Sequence, residues 1–513
     1  MMLGASPVPA PGRRPARGRA PRLLAIGLRL RLRLGLALAL LPALRALPAA
    51  ADEAAILANL KAFLATADPS RRAAPAASIE ADPAYARQRL PEWLHRLNLY
   101  SVPAMPAMST MLAPPALQAS SAAGAPRLRV AVGFGQEREV ALRLPRGYDP
   151  GRPWPLIYAL HPSGGSGPRF IAFVERLLGG KVEDFVVAAP TGYHQTSLDA
   201  PPPFTVDHLA ILLAVRQAVH VDSDRVYALG YSLGGYAAWA VACLHSDQLA
   251  GAVALSSAFC VPPADDGLWR TMLPNFAHLP VLNVWGAEDT LAVLGARTLE
   301  PVGGIAEMNR RLVAWTRGMS LPLRNVEVPG RGHGGAEPPR AALLALLSAR
   351  REHAPPVVEH NFRHLSQGHA YWLEAGSWLG GHWGAEPPAY ARQPRESDDQ
   401  AFGRAAGALL GWLRGEIAGQ TLAVERRHVG ELTVWIGDGM IDWGKDVTVK
   451  VAGRQVFSGR LRPDLLVCLT QAARTFDFDR LRWAGVRVDA RLAARPVTGK
   501  TAFGALLSED QEP

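Results

Sequence analysis

Cysteine is scarce: Cys243, Cys260 and Cys468 are the whole complement of 513 residues. Three thiols cannot build a disulfide-stapled scaffold, so an apolar core must hold the chain. Cys243 and Cys260 could pair in an oxidising compartment, yet two small buried hydrophobes is the preferred reading. Acid is missing from residues 1–51, which carry nine Arg and neither Asp nor Glu. With those nine set aside from the net charge of +10, the rest of the chain holds +1, which gives no argument for a nucleic-acid partner. A long apolar run is lacking too. The stretch Leu34–Leu44 is too short for a comfortable membrane span.

The leader has an Arg-rich start, that short apolar core, and small residues Ala49, Ala50 and Ala51 before Asp52 and Glu53. This is the layout of a secretory signal peptide over residues 1–51, cut after Ala50 or Ala51. Export to the periplasm or medium is expected, with a membrane anchor as the alternative if the leader, helped by Leu23–Leu32, is retained. Arg13-Arg14 lacks the continuation of a twin-arginine signal.

Length allows two or more domains. Residues 52–125 read as a helical segment (Ala54–Thr66, Pro91–Leu99) followed by an Ala/Pro-rich linker. From 126 to 355 the texture is strand and helix in alternation. Arg127–Phe134 and Arg138–Leu144 alternate as a hairpin, and continuous apolar strands follow at Pro155–Leu160, Phe185–Ala189, Arg225–Leu229, Leu249–Leu255, Val281–Trp285 and Asn325–Val328. Helical stretches lie at 168–178, 205–219, 233–245, 303–317 and 337–351. The fold class is α/β: a mostly parallel sheet with helices on both faces. Residues 356–490 read as a small C-terminal β-rich module, with Ala452-Gly453 as a hairpin turn, and 491–513 as a tail.

The chemistry centres on Gly230-Tyr-Ser-Leu-Gly234, a G-x-S-x-G turn between an apolar strand and a helix of small residues. A serine hydroxyl needs a histidine base and an orienting acid to act at neutral pH. Downstream, Asp289 sits in the loop after strand Val281–Trp285, and His333 in a glycine-flanked loop after strand Asn325–Val328. Order and strand-end placement make Ser232, Asp289 and His333 a candidate triad, with Glu288 as the alternative acid. Ser232 could instead be a plain helix N-cap, and His333 a solvated loop residue. The oxyanion would lie on the N–H of Leu233 and a second amide from the loop after Pro155–Leu160.

Those segments, together with Leu144–Asp149, Pro155–Gly165, Asp224–Tyr236 with Trp239, Gly286–Asp289 and Gly332–Gly334, resemble the α/β-hydrolase superfamily. Within it they are similar to the branch of polyhydroxybutyrate depolymerase-like and feruloyl-esterase-like enzymes and prolyl-oligopeptidase-like peptidases. The resemblance covers roughly residues 126–352. It implies a serine hydrolase acting through an acyl-enzyme, without metal or cofactor. Where that family has His-Gly after the oxyanion strand, this chain has His161-Pro162. Proline has no N–H, so Ser163 or Gly164 is the second oxyanion donor, with the choice left open.

His360, His364, His369 and His382 have spacings a metal could use, but polar lining of a domain junction is the preferred reading. Trp372, Trp378, Trp383, Trp435 and Trp443 could form a polymer-binding face, with packing preferred. Histidines 194, 208, 220, 245 and 278 are taken as structural. The expected activity is cleavage of a carboxylic ester, small or polymer-linked. A serine peptidase and a non-catalytic scaffold, the latter favoured by Pro162, are the alternatives.

Overall fold

The computed structural model describes residues 53–66, 68–97, 99, 117–118, 126–132, 136–192, 207–259, 266–294, 301–384, 388–499 and 501. The expected leader (1–51), nearly all of the linker at 101–125, His194 and Cys260 lie outside them. Among the described residues no helix is long and apolar enough to cross a membrane.

Three helices come first: α1 (Ala54–Ala65), α2 (Ala73–Glu80) and α3 (Leu90–His95). A nine-stranded sheet follows. Its strands are β1 (Leu117–Gln118), β2 (Arg127–Ala131), β3 (Glu137–Arg143), β4 (Trp154–Leu160), β5 (Val186–Pro190), β6 (Val221–Tyr231), β7 (Gly251–Leu255), β8 (Val281–Gly286) and β11 (Leu323–Val328). They lie in the order β1-β2-β3-β5-β4-β6-β7-β8-β11. The pairs from β5 through β4, β6, β7 and β8 to β11 are parallel, and β1, β2 and β3 join antiparallel at one side.

Parallel strands need crossovers, which here are helices on both faces. That is why the central strands read as unbroken apolar runs rather than alternating ones. On β4, Leu156, Tyr158 and Leu160 face one core while Ile157 and Ala159 face the other. The first core is closed by α5 (Asp207–Ala218), α6 (Leu233–Leu244), α7 (Asp266–Met272) and α8 (Ile305–Trp315). The second is closed by α4 (Gly167–Leu178) and α9 (Arg340–Leu346). Between β8 and α8 a small ribbon, β9 (Ala292–Leu294) with β10 (Pro301–Gly304), replaces the first residues of the helix expected from 303. The helix expected over 337–351 is also shorter, because Pro338 and Pro339 delay its start.

The C-terminal part holds two five-stranded sheets. One runs β12 (Val357–Phe362), β15 (Gly411–Ala418), β16 (Thr421–Arg427), β18 (Val447–Val451), β19 (Arg454–Gly459). The other runs β13 (His369–Ala370), β14 (Leu373–Ala375), β17 (Leu432–Gly437), β20 (Arg482–Val488), β21 (Ala494–Pro496). Ala452 and Gly453 make the two-residue turn joining β18 to β19, at φ of 50° and 72°. The residues expected as a tail from 491 begin with β21, which pairs with β20 and fills that sheet's edge.

Packing also crosses the boundary expected at 355/356. The helix α10 (Asp398–Ala408) lies on α7, and Trp383, Phe402, Ala406 and Leu410 complete the first core of the large sheet. In the same way α1, α2 and α3 pack against α11 (Leu465–Thr475) and Trp483, near the other end of the sequence. Each of these helices buries one side against partners more than a hundred residues away, which sequence periodicity cannot name.

The candidate tryptophan face is mostly interior: Trp372, Trp383 and Trp435 are buried in cores or between elements, and Trp378 and Trp443 are half-buried beside them. The four histidines with metal-like spacing are held by separate partners. His360 lies on β12 rather than a helix, with Nε2 on the Gln367 carbonyl at 2.7 Å. His364 belongs to the capping box of the short turn Leu365–Gln367. His369 pairs with Asp247 at 3.0 Å, and His382 stacks on Trp378.

Candidate active site

The apolar strand β6 ends at Tyr231 and the helix α6 begins at Leu233, which leaves Ser232 to make the whole reversal. Its backbone sits at φ 54°, ψ −119°, a conformation non-glycine residues rarely adopt. Such strain costs on the order of 1–3 kcal/mol and persists only where the surroundings over-determine it. Here they do. The Ser232 N–H donates to the Leu255 carbonyl at 2.9 Å, and its carbonyl accepts from Tyr236 N–H at 3.1 Å. A Cβ on Gly230 would collide with the Gly234 carbonyl, and one on Gly234 would collide with the carbonyl of Leu160 at the end of β4. The glycines of the turn are therefore steric necessities, and they press the Ser232 turn against the end of β4.

Two further strand ends bring the partners. At the end of β8, Gly286 approaches Arg331 so closely that a Cβ there would strike the Arg331 carbonyl. The two loops are zipped by backbone bonds: Ala287 N–H to Val328 at 2.9 Å and Glu288 N–H to Arg331 at 2.8 Å. Asp289 follows, turned inward and fully buried, while Glu288 is exposed. The Asp289 main chain is anchored in turn, its carbonyl accepting from Ala306 N–H in α8 at 2.9 Å.

The result is a continuous chain of two hydrogen bonds. The Ser232 hydroxyl donates to His333 Nε2 at 2.9 Å, and His333 Nδ1–H donates to Asp289 Oδ2 at 3.0 Å. The other carboxylate oxygen, Oδ1, accepts from Leu291 N–H at 3.3 Å, so the buried charge is bonded on both sides. Ser232 stands at the N-cap position of α6, but its side chain makes no capping bond. His333 keeps about a third of its side chain exposed, at 32 %.

Leu233, the first residue of α6, has no intrahelical partner for its N–H and lies at the positive end of the helix. In the loop after β4, His161 is buried. Its Nδ1–H donates to the Pro162 carbonyl at 2.7 Å and its Nε2 accepts from Gly192 N–H at 3.4 Å. The Gly165 N–H is also taken by the Pro162 carbonyl, at 3.0 Å. Ser163 and Gly164 occupy the exposed tip of that turn, with Gly164 at φ 69°.

Other histidines stand elsewhere in bonds of their own: His208 with Tyr158 at 2.8 Å, His220 with the Pro150 carbonyl at 2.8 Å, His278 with the Val357 carbonyl at 2.7 Å. His245 is buried at the end of α6. Cys243 is a free, buried thiol, and burial pushes it up from its ordinary range. Among the described residues, Asp222, Asp224 and Asp479 are the acidic group compact enough for a cation. Arg225, Arg350, Arg351 and His353 already pair Asp222 and Asp224.

Sequence reasoning missed a buried polar network behind the acid loop. Asn283 on β8 donates from Nδ2 to Asn309 at 2.8 Å and to Asn325 at 2.9 Å. Asn309 donates to the Ser257 carbonyl at 2.8 Å. A lone Asn inside the apolar run of β8 was the available signal. Also missed was Tyr231, whose hydroxyl reaches the main chain of His333.

No family model matches the chain. It is 30% identical over 150 residues to NocK of Nocardia uniformis subsp. tsuyamanensis, named as an esterase, covering 27% of this chain and 40% of that protein. It is 26% identical over 160 residues to a protein of Aspergillus terreus (strain NIH 2624 / FGSC A1156) named as feruloyl esterase C, covering 29% of this chain and 57% of that protein. The matched spans thus fall short of two thirds of either relative. Among solved structures, Est1E from Butyrivibrio proteoclasticus superposes with a TM-score of 0.30 at 18% identity, over 44% of this chain and 96% of that one. The Staphylococcus aureus fluorophosphonate-binding serine hydrolase FphF superposes with a TM-score of 0.33 at 14% identity, over 46% and 99%.

Proposed function

We propose, from the premise that this chain belongs to the α/β-hydrolase superfamily, that it is an exported serine hydrolase cleaving carboxylic esters. The observation that carries the reading is the hydrogen-bonded path from Ser232 Oγ through His333 to buried Asp289, at 2.9 and 3.0 Å. Ser232 Oγ attacks the ester carbonyl while His333 Nε2 takes its proton. Asp289 holds the imidazole by Nδ1 and stabilises the imidazolium that forms. The oxyanion rests on the Leu233 N–H, reinforced by the α6 dipole, and on the N–H of Ser163 or Gly164. His333 then protonates the leaving alcohol, which leaves an acyl-Ser232 ester. Water, deprotonated by the same imidazole, attacks the acyl carbonyl and regenerates the serine.

Ester preference is supported by the names of the two sequence relatives, not by any feature of the described pocket walls. Export is supported by the layout of residues 1–51. A panel of short acyl esters, feruloyl esters and peptide amides tests the activity, with Ser232→Ala as the blank. Turnover of esters that vanishes in the variant is expected. Turnover of amides with esters untouched would make the protein a peptidase, and turnover equal in the blank would end the reading. Mass measurement of the protein recovered from a bacterial periplasm tests export: loss of the first 50 or 51 residues is expected, and an intact leader in the cytoplasm contradicts it.

A further inference from the structure

We infer that Tyr231 is a positioning residue, whose hydroxyl keeps the His333 imidazole in register with the nucleophile. This rests on the triad reading above. Tyr231 directly precedes Ser232, and its hydroxyl donates to the main-chain carbonyl of His333 at 2.6 Å. The nucleophile turn therefore grips one residue at two points: Ser232 Oγ meets the ring of His333, and the neighbouring phenol meets its backbone.

The loop that carries His333 needs such a grip. Glycine stands at 330, 332, 334 and 335, and Gly330 and Gly335 take positive φ of 66° and 79°. Nothing lies within 4 Å of where a Cβ on Gly330 or Gly334 would stand. A glycine-rich segment without packed side chains has many accessible conformations, so its backbone alone does not aim an imidazole. The bond from Glu288 N–H to the Arg331 carbonyl fixes the loop two residues earlier. Tyr231 fixes the catalytic residue itself.

The tyrosine is in turn braced. The Phe173 ring from α4 packs against it with centroids 5.8 Å apart, and the His333 ring stands 5.9 Å away. Burial raises its phenol above the ordinary value, so the hydroxyl stays a donor through neutral pH. A displacement of about 1 Å at a reacting group costs roughly 10²-fold in rate, so freeing this loop acts on turnover more than on binding.

The test is Tyr231→Phe, which keeps the ring and removes the hydroxyl, assayed on a p-nitrophenyl acyl ester. Active sites are counted by fluorophosphonate titration so that any misfolded fraction is removed from kcat. We expect kcat to fall about tenfold or more with KM within about twofold. Phe173→Leu, which loosens the brace and keeps the hydroxyl, is expected to lower kcat less than Tyr231→Phe does. Parent kcat in Tyr231→Phe, or a loss as large or larger in Phe173→Leu, overturns the proposal. The two levels of failure separate cleanly. If Ser232→Ala and His333→Ala are inactive while Tyr231→Phe is unimpaired, the tether alone is wrong. If those two variants keep full activity, the triad itself is wrong.

Discussion

The strand β6 carries two polar sites, one at each end, and they treat charge in opposite ways. At its carboxyl end, Ser232, His333 and Asp289 form a single file of two hydrogen bonds, open to solvent at the imidazole. At its amino end, Asp222 and Asp224 enter a buried ionic cluster. Arg351 grips Asp477 through both guanidinium nitrogens, at 2.7 and 3.0 Å, and reaches Asp224 at 3.0 Å. Arg480 pairs with Asp247 at 2.8 Å, and Asp247 with His369 at 3.0 Å. The two sites are eight residues apart along the strand, about 26 Å at the usual rise. One site joins a strained serine to glycine-rich loops and a partly exposed imidazole. The other pairs Asp224, Asp247 and Asp477 with two or more basic partners each and fastens the C-terminal sheets to the nine-stranded sheet.

If that contrast is right, variants at the carboxyl end change chemistry and leave folding alone, and variants at the amino end do the reverse. Ser232→Ala is expected to lower kcat/KM by at least about 10⁴-fold, with an unfolding midpoint equal to the parent's or higher, since alanine removes no packing. Ester hydrolysis and thermal unfolding measured side by side check this. Asp289→Asn is expected to cost about 10³- to 10⁴-fold in kcat, because the amide favours the wrong imidazole tautomer, again without loss of fold. Arg351→Met leaves Asp477 and Asp224 buried and short of their partner. Breaking such a pair costs roughly 3–5 kcal/mol, readable by urea unfolding, while activity per folded molecule holds. Loss of activity per active site in Arg351→Met would blur the two ends into one unit.

Acid gives the gentlest test. Burial alone would push Asp224 up, but the hydrogen bond from His353 and the charge of Arg351 hold its carboxyl down at about 2. Asp477 is held low in the same way, by Arg351 and Arg480 against its burial. A depressed folded-state value means stability that is complete above the unfolded value, about 3.9, and lost as pH falls toward the folded one. The unfolding midpoint is therefore expected to fall already below about pH 6.5, where His208 and His360, held neutral by burial, are protonated in the unfolded chain, and the carboxylates add a further drop between about pH 4 and 2. In Arg351→Met that acid-sensitive part should shrink, and a drop unchanged from the parent would mean other groups govern it.

The two ends also differ in how far the sequence discloses them. The carboxyl end was legible because its constraints are local. Glycines at 230 and 234 answer to a reversal within the same few residues, and Asp289 and His333 each follow an apolar strand whose end defines the active edge. The junction was not, because Arg351, Asp477 and Asp247 acquire meaning only when three distant segments meet. The same holds for α1, α2 and α3, whose partner α11 lies beyond residue 464. Strands β12, β15 and β20 escaped notice for a related reason. In β15, Trp412, Arg414 and Glu416 alternate with Gly411, Leu413 and Gly415, and two of those inward positions are glycines, which blur the apolar period. Gly415 is required there, since a Cβ would strike the Trp372 ring.

The most direct measurement is reaction of the folded protein with a fluorophosphonate probe, followed by peptide mapping of the adduct. We predict one adduct per chain, on Ser232, formed at a rate that collapses in His333→Ala. Folded protein that takes no label, or carries it on a different serine, would contradict the account.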